Sequence, residues 1–236
     1  MSDARQQDDA VKRFVSFSGG ADSTALAIYL ADKGEDFTLV FADTGAELPE
    51  TYWIVPRVAR ALGKPLVVVS GPTFYQRLVG WGFLLPSAGI RWCTRELKMD
   101  PLDTISRTMM VGICADEDHR MPDAHRPLVD AGIGKAEARA MVEERDLLNP
   151  CYRWRSNTSC FCCPFQRKSD WRNLQQEHPD LYALAEEWEE QSKLTSPNTK
   201  HQWAEGFSLR QLRMANEQQV ELFPEPREEA CAICQW

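Results

Sequence analysis

In the first half of the chain, short continuous hydrophobic runs alternate with longer segments in which apolar and polar residues follow a helical period. Such continuous runs predict buried strands, and they occur at 14–17, 37–42, 65–70 and 109–114. The segments at 24–33 and 50–62 predict helices, and the second is opened by Pro49 and closed by Gly63. Because strands and helices alternate, the pattern predicts βαβ units with a parallel sheet.

Beyond residue 114 the pattern changes. We expect a polar loop at 115–128, a helix at 134–145, a loop rich in Cys, Trp and Arg at 148–164, and amphipathic helices at 169–177 and 179–193. A further helix is predicted at 94–106, with Pro101 as a kink or break. Residues 195–236 have poor periodicity and several prolines, which predicts an extended segment.

These elements predict an α/β fold, a three-layer sandwich around a mostly parallel sheet, with an appended helical segment. We expect a disordered tail at 1–12, an α/β core at 13–130, a helical and cysteine-rich segment at 131–194, and an extended C-terminal tail at 195–236.

Composition narrows the class of protein. The chain has 236 residues, 43% hydrophobic and 26% charged, which is typical of a globular protein. No apolar run approaches the ~18–20 residues of a membrane span, and the polar N-terminus has no secretory core. We therefore expect a cytoplasmic protein with no membrane contact. The net charge of −8 argues against broad wrapping of a polyanion. It leaves room for local basic patches, which could equally be solvated surface.

Eight cysteines are many for a cytoplasmic chain of this length. In a reducing compartment such clustering indicates metal or redox chemistry rather than disulfides. Their positions are Cys93, Cys114, Cys151, Cys160, Cys162, Cys163, Cys231 and Cys234.

The segment after the first predicted strand carries the strongest chemical signal, with Ser18, Gly19, Gly20, Asp22 and Ser23 at its centre. The glycines let backbone N–H groups approach an anion, and the following helix points its N-terminus at the same place. The serines add hydroxyl donors, and the aspartate could hold a metal or a helix N–H. The plain alternative is an ordinary strand–turn–helix connection.

This segment resembles the S-G-G-x-D-S signature of the PP-loop ATP pyrophosphatase superfamily. Asp43, Thr44 and Gly45 follow the second predicted strand and begin a stretch that resembles the D-T-G…P-E-T-Y block of its phosphoadenosine-phosphosulfate reductase family. The carboxyl ends of parallel strands are where ligands bind. The aspartate could accept from ribose or ligate Mg²⁺, and the next two residues suit a tight turn over the nucleotide. An ordinary turn before a Pro-initiated helix is the alternative.

Two further blocks resemble the same family. Residues 91–98 resemble its R-x-C-T-x-x-x-K element, in which Arg91 and Lys98 could meet phosphate or sulfate oxygens. Residues 112–120 resemble its G-I-R-A-D-E-x-x-R block. Arg120 is retained there, whereas Cys114 replaces the internal arginine, so one anion contact is in doubt. We expect Cys114 to be a small buried residue at a strand end.

The loop at 148–164 presents Cys151, Cys160 and Cys163. Thiolates prefer Zn²⁺ or iron–sulfur clusters, and four cysteines suit either. In the family an adjacent cysteine pair and a C-x-x-C bind a 4Fe–4S cluster. The spacing here also resembles the ATPase component of DNA phosphorothioation systems. From these resemblances Cys93, Cys151, Cys160 and Cys163 are the expected cluster ligands, with Cys162 spare and structural zinc as the alternative.

The C-terminal pair Cys231 and Cys234 has three open interpretations: a sulfur-relay or redox pair, a source of a cluster ligand, or a plain chain end. The reductases of the family carry a catalytic cysteine in a C-terminal E-C-G-L-H-like tail, and that tail is absent here. Cys234 could substitute for that nucleophile.

The resemblance implies an adenine nucleotide alpha hydrolase-like core that binds ATP with Mg²⁺. We expect cleavage of ATP to AMP and pyrophosphate, activating a substrate for sulfur transfer, with Ser18, Asp22 and Lys98 as catalytic groups. The alternatives are reduction of a phosphoadenosine- or adenosine-phosphosulfate to sulfite, and a non-catalytic nucleotide-binding module. Expected partners are a sulfur donor protein or thioredoxin, and a nucleic acid is one candidate acceptor.

Overall fold

The computed structural model describes residues 12–195, 202–204 and 206–222. At its centre is a four-stranded parallel sheet with the spatial order β3-β2-β1-β4. The strands are β1 (Phe14–Ser16), β2 (Thr38–Asp43), β3 (Leu66–Ser70) and β4 (Met110–Val111). The chain runs outwards from β1 to β3 and then crosses to the other side of β1 for β4. This reversal at β1 is the point where open α/β sheets bind ligands.

The described helices follow the strands in the predicted alternation and then continue alone. They are α1 (Ala21–Asp32), α2 (Pro49–Leu62), α3 (Phe74–Gly80), α4 (Trp92–Thr94), α5 (Asp100–Asp103), α6 (Pro127–Asp130), α7 (Lys135–Glu143), α8 (Lys168–Glu177), α9 (Pro179–Thr195) and α10 (Leu209–Leu222). A π-helical turn, Arg95–Met99, joins α4 to α5, and single 3₁₀ turns lie at Ala115–Glu117 and Pro150–Arg153.

Helices lie on both faces of the sheet, as the α/β prediction requires. Leu39 and Phe41 of β2 pack in one hydrophobic cluster with α1, α2 and α7. The alternate residue Val40 points to the opposite face, where α5 lies against β2 and β3. The α/β prediction with a parallel sheet and appended helices is therefore confirmed.

The appended helices form a second core that is dominated by aromatic rings. Phe74 of α3 stacks on Trp188 of α9 with ring centroids 5.7 Å apart, and Trp203 lies 6.2 Å from the same phenylalanine ring. Cys151, Cys160 and Cys162 are buried in this core. Large aromatic side chains bury extensive surface and fix their neighbours, so the cysteine segment is held by packing rather than by disulfides.

Several elements differ from the sequence predictions. Residues 195–236 were expected to be extended, but Leu209–Leu222 form α10, which packs against α8 and α9. The predicted helix at 94–106 runs instead over 92–103 with a π-helical centre. β4 is shorter than expected, and the loop at 115–128 ends in α6. The sequence prediction also missed α3, whose Thr73–Gln76 capping box was a usable signal.

The other terminal predictions fall largely outside this description. The expected tail at 1–12 lies almost wholly outside the described residues, as do Cys231 and Cys234. No helix in the described part of the chain combines the length and apolar character that a bilayer crossing requires.

Glu189 fastens the C-terminal segment to α9. Its fully buried carboxylate accepts the backbone N–H of Trp203 (3.1 Å) and that of Leu209 (2.8 Å). Burial raises the pKa of Glu189 to about 7, although the two N–H donors act in the opposite direction.

This raised pKa predicts a stability that depends on pH. Between about pH 4.5, the ordinary glutamate value, and pH 7, the folded state holds a proton that the unfolded state has lost. The free energy of unfolding should therefore fall as pH rises through this window, by at least about 1.4 kcal/mol. Chemical denaturation between pH 4.5 and 8 would test this, with Glu189→Gln as the comparison. The variant is destabilised throughout but should lack this slope. An identical slope in both proteins would contradict the assignment.

Candidate functional site

The turn between β1 and α1 has the geometry of an anion-binding loop. Gly19 has a left-handed φ of 71°, and a Cβ there would lie 2.9 Å from Val55 Cγ2, so only glycine fits. The N–H of Ser18 donates to Ser23 Oγ (3.2 Å), and the Ser23 hydroxyl donates to the Gly20 carbonyl (3.1 Å). The first amides of a helix have no intrahelical acceptor, and the N-cap of α1 makes no side-chain hydrogen bond to them.

Two adjoining cavities lie beside this turn. The smaller, of about 60 Å³, is lined by residues of the turn and by side chains from three other segments: Ser16, Phe17, Ser18, Phe41, Ala42, Glu47, Lys98, Leu102 and Thr158. The larger, of about 330 Å³, shares Ser16 and Leu102 with it and is walled by apolar side chains such as Met99, Met109 and Val111. A small space that carries the charged groups of Glu47 and Lys98 thus opens beside a wider, mainly apolar one, which Asp103, Arg107, Asp123 and His125 also line.

Asp22 and Arg120 lie on the side of the loop that faces β4. Burial raises the pKa of Asp22, while a hydrogen bond with Cys114 and the charges of Lys135 and Arg120 act against it. Cys114 is fully buried at the strand end, as predicted. Arg120 donates to Glu117 Oε2 (2.8 Å). The two predicted residues are therefore near each other, but neither lines the small cavity.

The residues after β2 have two different roles: some shape the turn, and one contacts the buried Glu47. Asp43 Oδ1 accepts the N–H of Gly45 (2.8 Å) and the hydroxyl of Tyr52 (2.8 Å), so this carboxylate shapes the turn. Gly45 has a left-handed φ of 69° and packs against Thr73. Thr44 is buried, and its hydroxyl donates to Glu47 Oε1 (2.9 Å). Thr44 points to the cysteines, whereas the sequence predicted that it lies over a nucleotide.

A buried carboxylate links the loop cavity to the cysteines. Glu47 has only 3% of its side chain exposed. Its Oε1 accepts a hydrogen bond from the Cys160 thiol (3.3 Å) and lies 3.7 Å from Lys98 Nζ. The carboxylate raises the pKa of Lys98, so this lysine is fully charged at neutral pH. Sequence analysis did not single out Glu47, because nothing in its local sequence shows that the side chain is buried.

Three of the four predicted metal ligands line a single cavity of about 230 Å³. Cys93, Cys160 and Cys163 share its walls with Lys98 and Arg91, and the guanidinium of Arg91 lies over the ring of Phe165 at 5.2 Å. Burial raises the pKa of Cys160 to about 12 and also raises that of Cys93. Because metal binding requires thiolates, a bound metal must offset the free energy of deprotonating these cysteines.

The fourth predicted ligand lies elsewhere. Cys151 is fully buried and does not line this cavity, and burial raises its pKa to about 12. Cys162 is also fully buried, and the neighbouring Cys160, Cys163 and Cys93 raise its pKa in addition to burial. Among the described residues, no three His, Cys, Asp or Glu side chains are already grouped so as to hold one metal ion.

A buried guanidinium beside the cysteines has two nitrogens without a hydrogen-bond partner among the described residues. Arg155 is 4% exposed, and its Nη2 donates to Ser159 Oγ (2.8 Å) and to the Cys160 carbonyl (3.1 Å). Its Nε and Nη1 have no hydrogen-bond partner among the residues described. Burial lowers the pKa of Arg155, and Cys151, Cys163 and Cys160 lie close enough to oppose that shift. Because buried polar groups are normally paired, the unpaired N–H groups indicate a place for an anion.

Sequence analysis also missed the residues of the cysteine segment that meet the loop. Asn149 Nδ2 donates to the Gly19 carbonyl (3.2 Å), Tyr152 accepts the Ala21 N–H (3.1 Å), and Thr158 lines the small cavity. Each contact spans more than 125 positions of the sequence. No local pattern could have indicated them.

Comparisons with known proteins identify the class. Residues 12–120 match the model of the phosphoadenosine phosphosulfate reductase domain. These residues, slightly less than half of the chain, are similar to the domain of this family, and the resemblance inferred from the motifs is confirmed. The match ends before the cysteine segment.

Two similar proteins of Methanocaldococcus jannaschii are uncharacterized. The first is 28% identical over 219 residues, which cover 82% of this chain and 43% of that protein. The second is 34% identical over 87 residues, covering 37% of this chain and 21% of that protein. The chain therefore spans less than half the length of these curated relatives.

Two solved structures are similar at low identity. Phosphoadenylyl-sulfate reductase from Candida auris, in a phosphate complex, has a TM-score of 0.48 and 15% identity, covering 62% of this chain and 81% of that one. The U34-tRNA thiolase NcsA from Methanococcus maripaludis, with its [4Fe-4S] cluster, has a TM-score of 0.38 and 13% identity, covering 87% and 81%. Both scores are below 0.5, so the family assignment rests on the sequence match.

Gly20 offers a direct test of the loop. A Cβ at this position would lie 2.6 Å from Thr158 Oγ1 and 3.4 Å from Ser18 Oγ, inside the space beside the loop. Gly20→Ala should therefore weaken binding of an adenine nucleotide about tenfold or more, equivalent to one lost charged hydrogen bond. Isothermal titration calorimetry measures this. Gly89→Ala is the matched control, since a Cβ there meets nothing within 4 Å. Equal affinity in all three proteins would contradict the site.

Proposed function

We propose that the protein binds ATP at the loop formed by Ser18–Ser23, cleaves it to AMP and pyrophosphate, and thereby activates an acceptor for sulfur transfer at the cysteine cavity. One observation carries this proposal: Lys98 lines both the small cavity beside the loop and the cavity of Cys93, Cys160 and Cys163. A phosphate at the loop and sulfur chemistry at the cysteines would therefore share a wall.

The nucleotide fits the two adjoining cavities in one direction. Its phosphates lie at the loop, where the amides of α1 and the serine hydroxyls can donate to them. Its base enters the wider apolar cavity, between Met99, Met109 and Val111. Base pockets are mostly apolar with few polar groups, which matches this division of polar and apolar walls.

The reaction is an adenylyl transfer. An oxygen of the acceptor attacks the α-phosphorus, the bond from that phosphorus to the bridging oxygen breaks, and pyrophosphate leaves with the bonding electron pair. Loop amides, Ser18, Ser23 and the Lys98 ammonium stabilise the charge that develops on the leaving group. Sulfur then displaces AMP from the adenylated acceptor.

The expected carboxylates do not form a ready magnesium site. Neither Asp22 nor Asp43 lines the small cavity, and Asp43 Oδ1 is already engaged by two donors. Mg²⁺ is commonly bound through substrate phosphates with only one or two carboxylates. We therefore propose that Mg²⁺ arrives with the nucleotide, and that Asp22, which is itself a residue of the loop, is the carboxylate that contacts it.

The cysteine cavity suits an anionic metal–sulfur cluster. Lys98 and Arg91 line it with two cations, and the buried Arg155, which lies outside its lining, donates to the Cys160 carbonyl and keeps two unpaired nitrogens. A cluster spaces its thiolates more widely than a single zinc ion, whose sulfur ligands lie only ~2.3 Å from the metal. Cys93, Cys160 and Cys163 would hold the cluster, with Cys151 proposed as the fourth ligand. When bound, a cluster supplies soft iron sites for sulfur.

The reaction can be tested by its products. Anaerobically purified protein with ATP and Mg²⁺ should release AMP and pyrophosphate in equal amounts, measured by chromatography and a coupled phosphate assay. Lys98→Gln should lower the rate about 10²-fold, the cost of one transition-state donor. Arg95→Gln, an exposed change in the same helical segment, should not.

A parallel incubation separates the reductase alternative. Protein, thioredoxin and each adenosine phosphosulfate are mixed, and sulfite is measured. Sulfite that disappears in Cys234→Ser, with no pyrophosphate from ATP under any condition, would overturn the proposed reaction. Tight nucleotide binding with neither product would leave a binding module.

The ligand set can be tested by metal analysis. Anaerobic protein should contain about four iron atoms per chain and absorb broadly near ~400 nm. Cys93→Ser, Cys160→Ser and Cys163→Ser should each lose iron, and Cys151→Ser should as well. Cys162→Ser is the matched control and should retain it. Stoichiometric zinc without iron would contradict the cluster, and retention of iron in Cys151→Ser would remove that residue from the set.

A further inference from the structure

The segment that leads to the cysteines contacts the loop at Ser18–Ser23 at three successive points. Asn149 Nδ2 donates to the carbonyl of Gly19 (3.2 Å) and lies 3.3 Å from Thr51 Oγ1. The Tyr152 hydroxyl accepts the N–H of Ala21 (3.1 Å). Thr158 then passes directly beside the loop. This segment lies outside residues 12–120, where the family match ends.

Tyr152 lies at the first turn of α1, next to Thr158, although it does not itself line the small cavity. Ala21 is the first residue of α1, so its amide belongs to the group of N–H donors that a helix N-terminus offers to an anion. A phenol that accepts this N–H still has its own proton to donate. Burial raises the pKa of Tyr152 further above its ordinary value, so the hydroxyl keeps that proton at neutral pH.

Thr158 reaches the same space from the cysteine side. It lines the small cavity together with Ser18 and Lys98. Its Oγ1 lies 2.6 Å from the position of a Cβ on Gly20, and Tyr152 Oη lies 3.6 Å from that same position. The two side chains therefore hydrogen-bond to each other beside Gly20, and the missing side chain of this glycine makes room for the Thr158 hydroxyl at the edge of the small cavity.

We propose that Tyr152 and Thr158 are phosphate-contacting residues of the nucleotide site, with Asn149 as the positioning residue that anchors their segment to Gly19. This inference rests on the proposed function, because it requires a nucleotide at the loop. The phosphate then lies between the loop and the segment, and receives the hydroxyl protons of both side chains as hydrogen bonds.

The same contact ties the nucleotide to the cysteines. Thr158 is two residues before Cys160, whose thiol reaches Glu47 at 3.3 Å. A phosphate held by Thr158 therefore fixes the backbone next to a cysteine of the neighbouring cavity. A purely structural role predicts otherwise: the Tyr152 hydroxyl would cap α1, and its loss would lower stability without changing nucleotide affinity.

Binding measurements on the full-length, anaerobically purified protein distinguish these roles. The probes are α,β-methylene-ATP, pyrophosphate and adenosine, each titrated by calorimetry. The variants are Tyr152→Phe and Thr158→Val, which remove one hydroxyl each and keep the shape. The matched controls are Tyr75→Phe, at a half-exposed ring of α3, and Thr38→Val, at the opposite end of β2.

Tyr152→Phe and Thr158→Val should each weaken binding of α,β-methylene-ATP and pyrophosphate about tenfold, the effect of one hydrogen bond to a charged group. Adenosine should bind as well as it does to the wild type, which also shows that the variants are folded. Both controls should match the wild type with every probe.

Three results would overturn the inference. Unchanged affinity for phosphate ligands in both variants would assign the hydroxyls to structure alone. Tighter binding in Tyr152→Phe would show that the phenol occupies the phosphate position and competes for it. If the wild type binds none of the probes, the proposed function fails and this inference fails with it. If the wild type and both variants bind the phosphate ligands equally well, only this inference fails.

Discussion

The ion pair between Glu47 and Lys98 is the interaction on which the architecture of the site depends. The carboxylate is buried and also accepts from Thr44 and from the Cys160 thiol. Removing Lys98 would leave the buried Glu47 carboxylate without its cation, which is unfavourable for a charge at a site with so little solvent. The pair joins the turn after β2, the π-helical turn before α5 and, through the Cys160 thiol, the cysteine segment, three pieces of chain that also pack in one hydrophobic core.

This constraint explains how the proposed nucleotide site and the proposed metal–sulfur site can be neighbours. The phosphate loop is held by the parallel sheet, whereas the cysteines are held by an aromatic core outside it. The lysine faces both spaces and carries a charge that either a phosphate or a thiolate can use. The π-helical turn that carries it is a less stable form of helix, and such turns are frequent at functional sites.

The cysteine segment lies beyond residues 12–120, the part of the chain that matches the family model. The family match ends at residue 120, yet Asn149 and Tyr152 hydrogen-bond to the loop of that domain. Arg155, on the same segment, is buried with two nitrogens, Nε and Nη1, that have no hydrogen-bond partner among the described residues. A stable fold rarely leaves such groups unpaired without a ligand. The segment thus closes over the domain's loop and leaves a cation facing the cysteines.

The sequence was sufficient to predict the parts of this structure that follow local rules. Continuous apolar runs predicted the strands, and glycines and serines in a fixed order predicted the loop, because backbone geometry there depends on residue type. Cys93, Cys160 and Cys163 were predicted as neighbours, and they line one cavity. Their role as ligands stays a prediction.

Contacts between distant segments could not be predicted in this way. The burial of Glu47 and the approach of Thr158 to Gly20 arise from packing between elements more than 100 residues apart. Thr44 faces the cysteines for the same reason. The helix at 209–222 was missed because it was grouped with the proline-containing residues around it, although its own pattern is as amphipathic as that of α7. Glu189 accepts the backbone N–H of Leu209 at its first residue.

The central claim is that a nucleotide site and a metal–sulfur site share the wall formed by Lys98 and Glu47. The most direct measurement is a crystal structure of the anaerobically purified full-length protein with α,β-methylene-ATP, with anomalous data collected at the iron edge. The account predicts phosphates at Ser18–Ser23, the base beside Met109, and an iron signal in the cavity of Cys93, Cys160 and Cys163. A nucleotide bound elsewhere, or iron remote from this cavity, would contradict it.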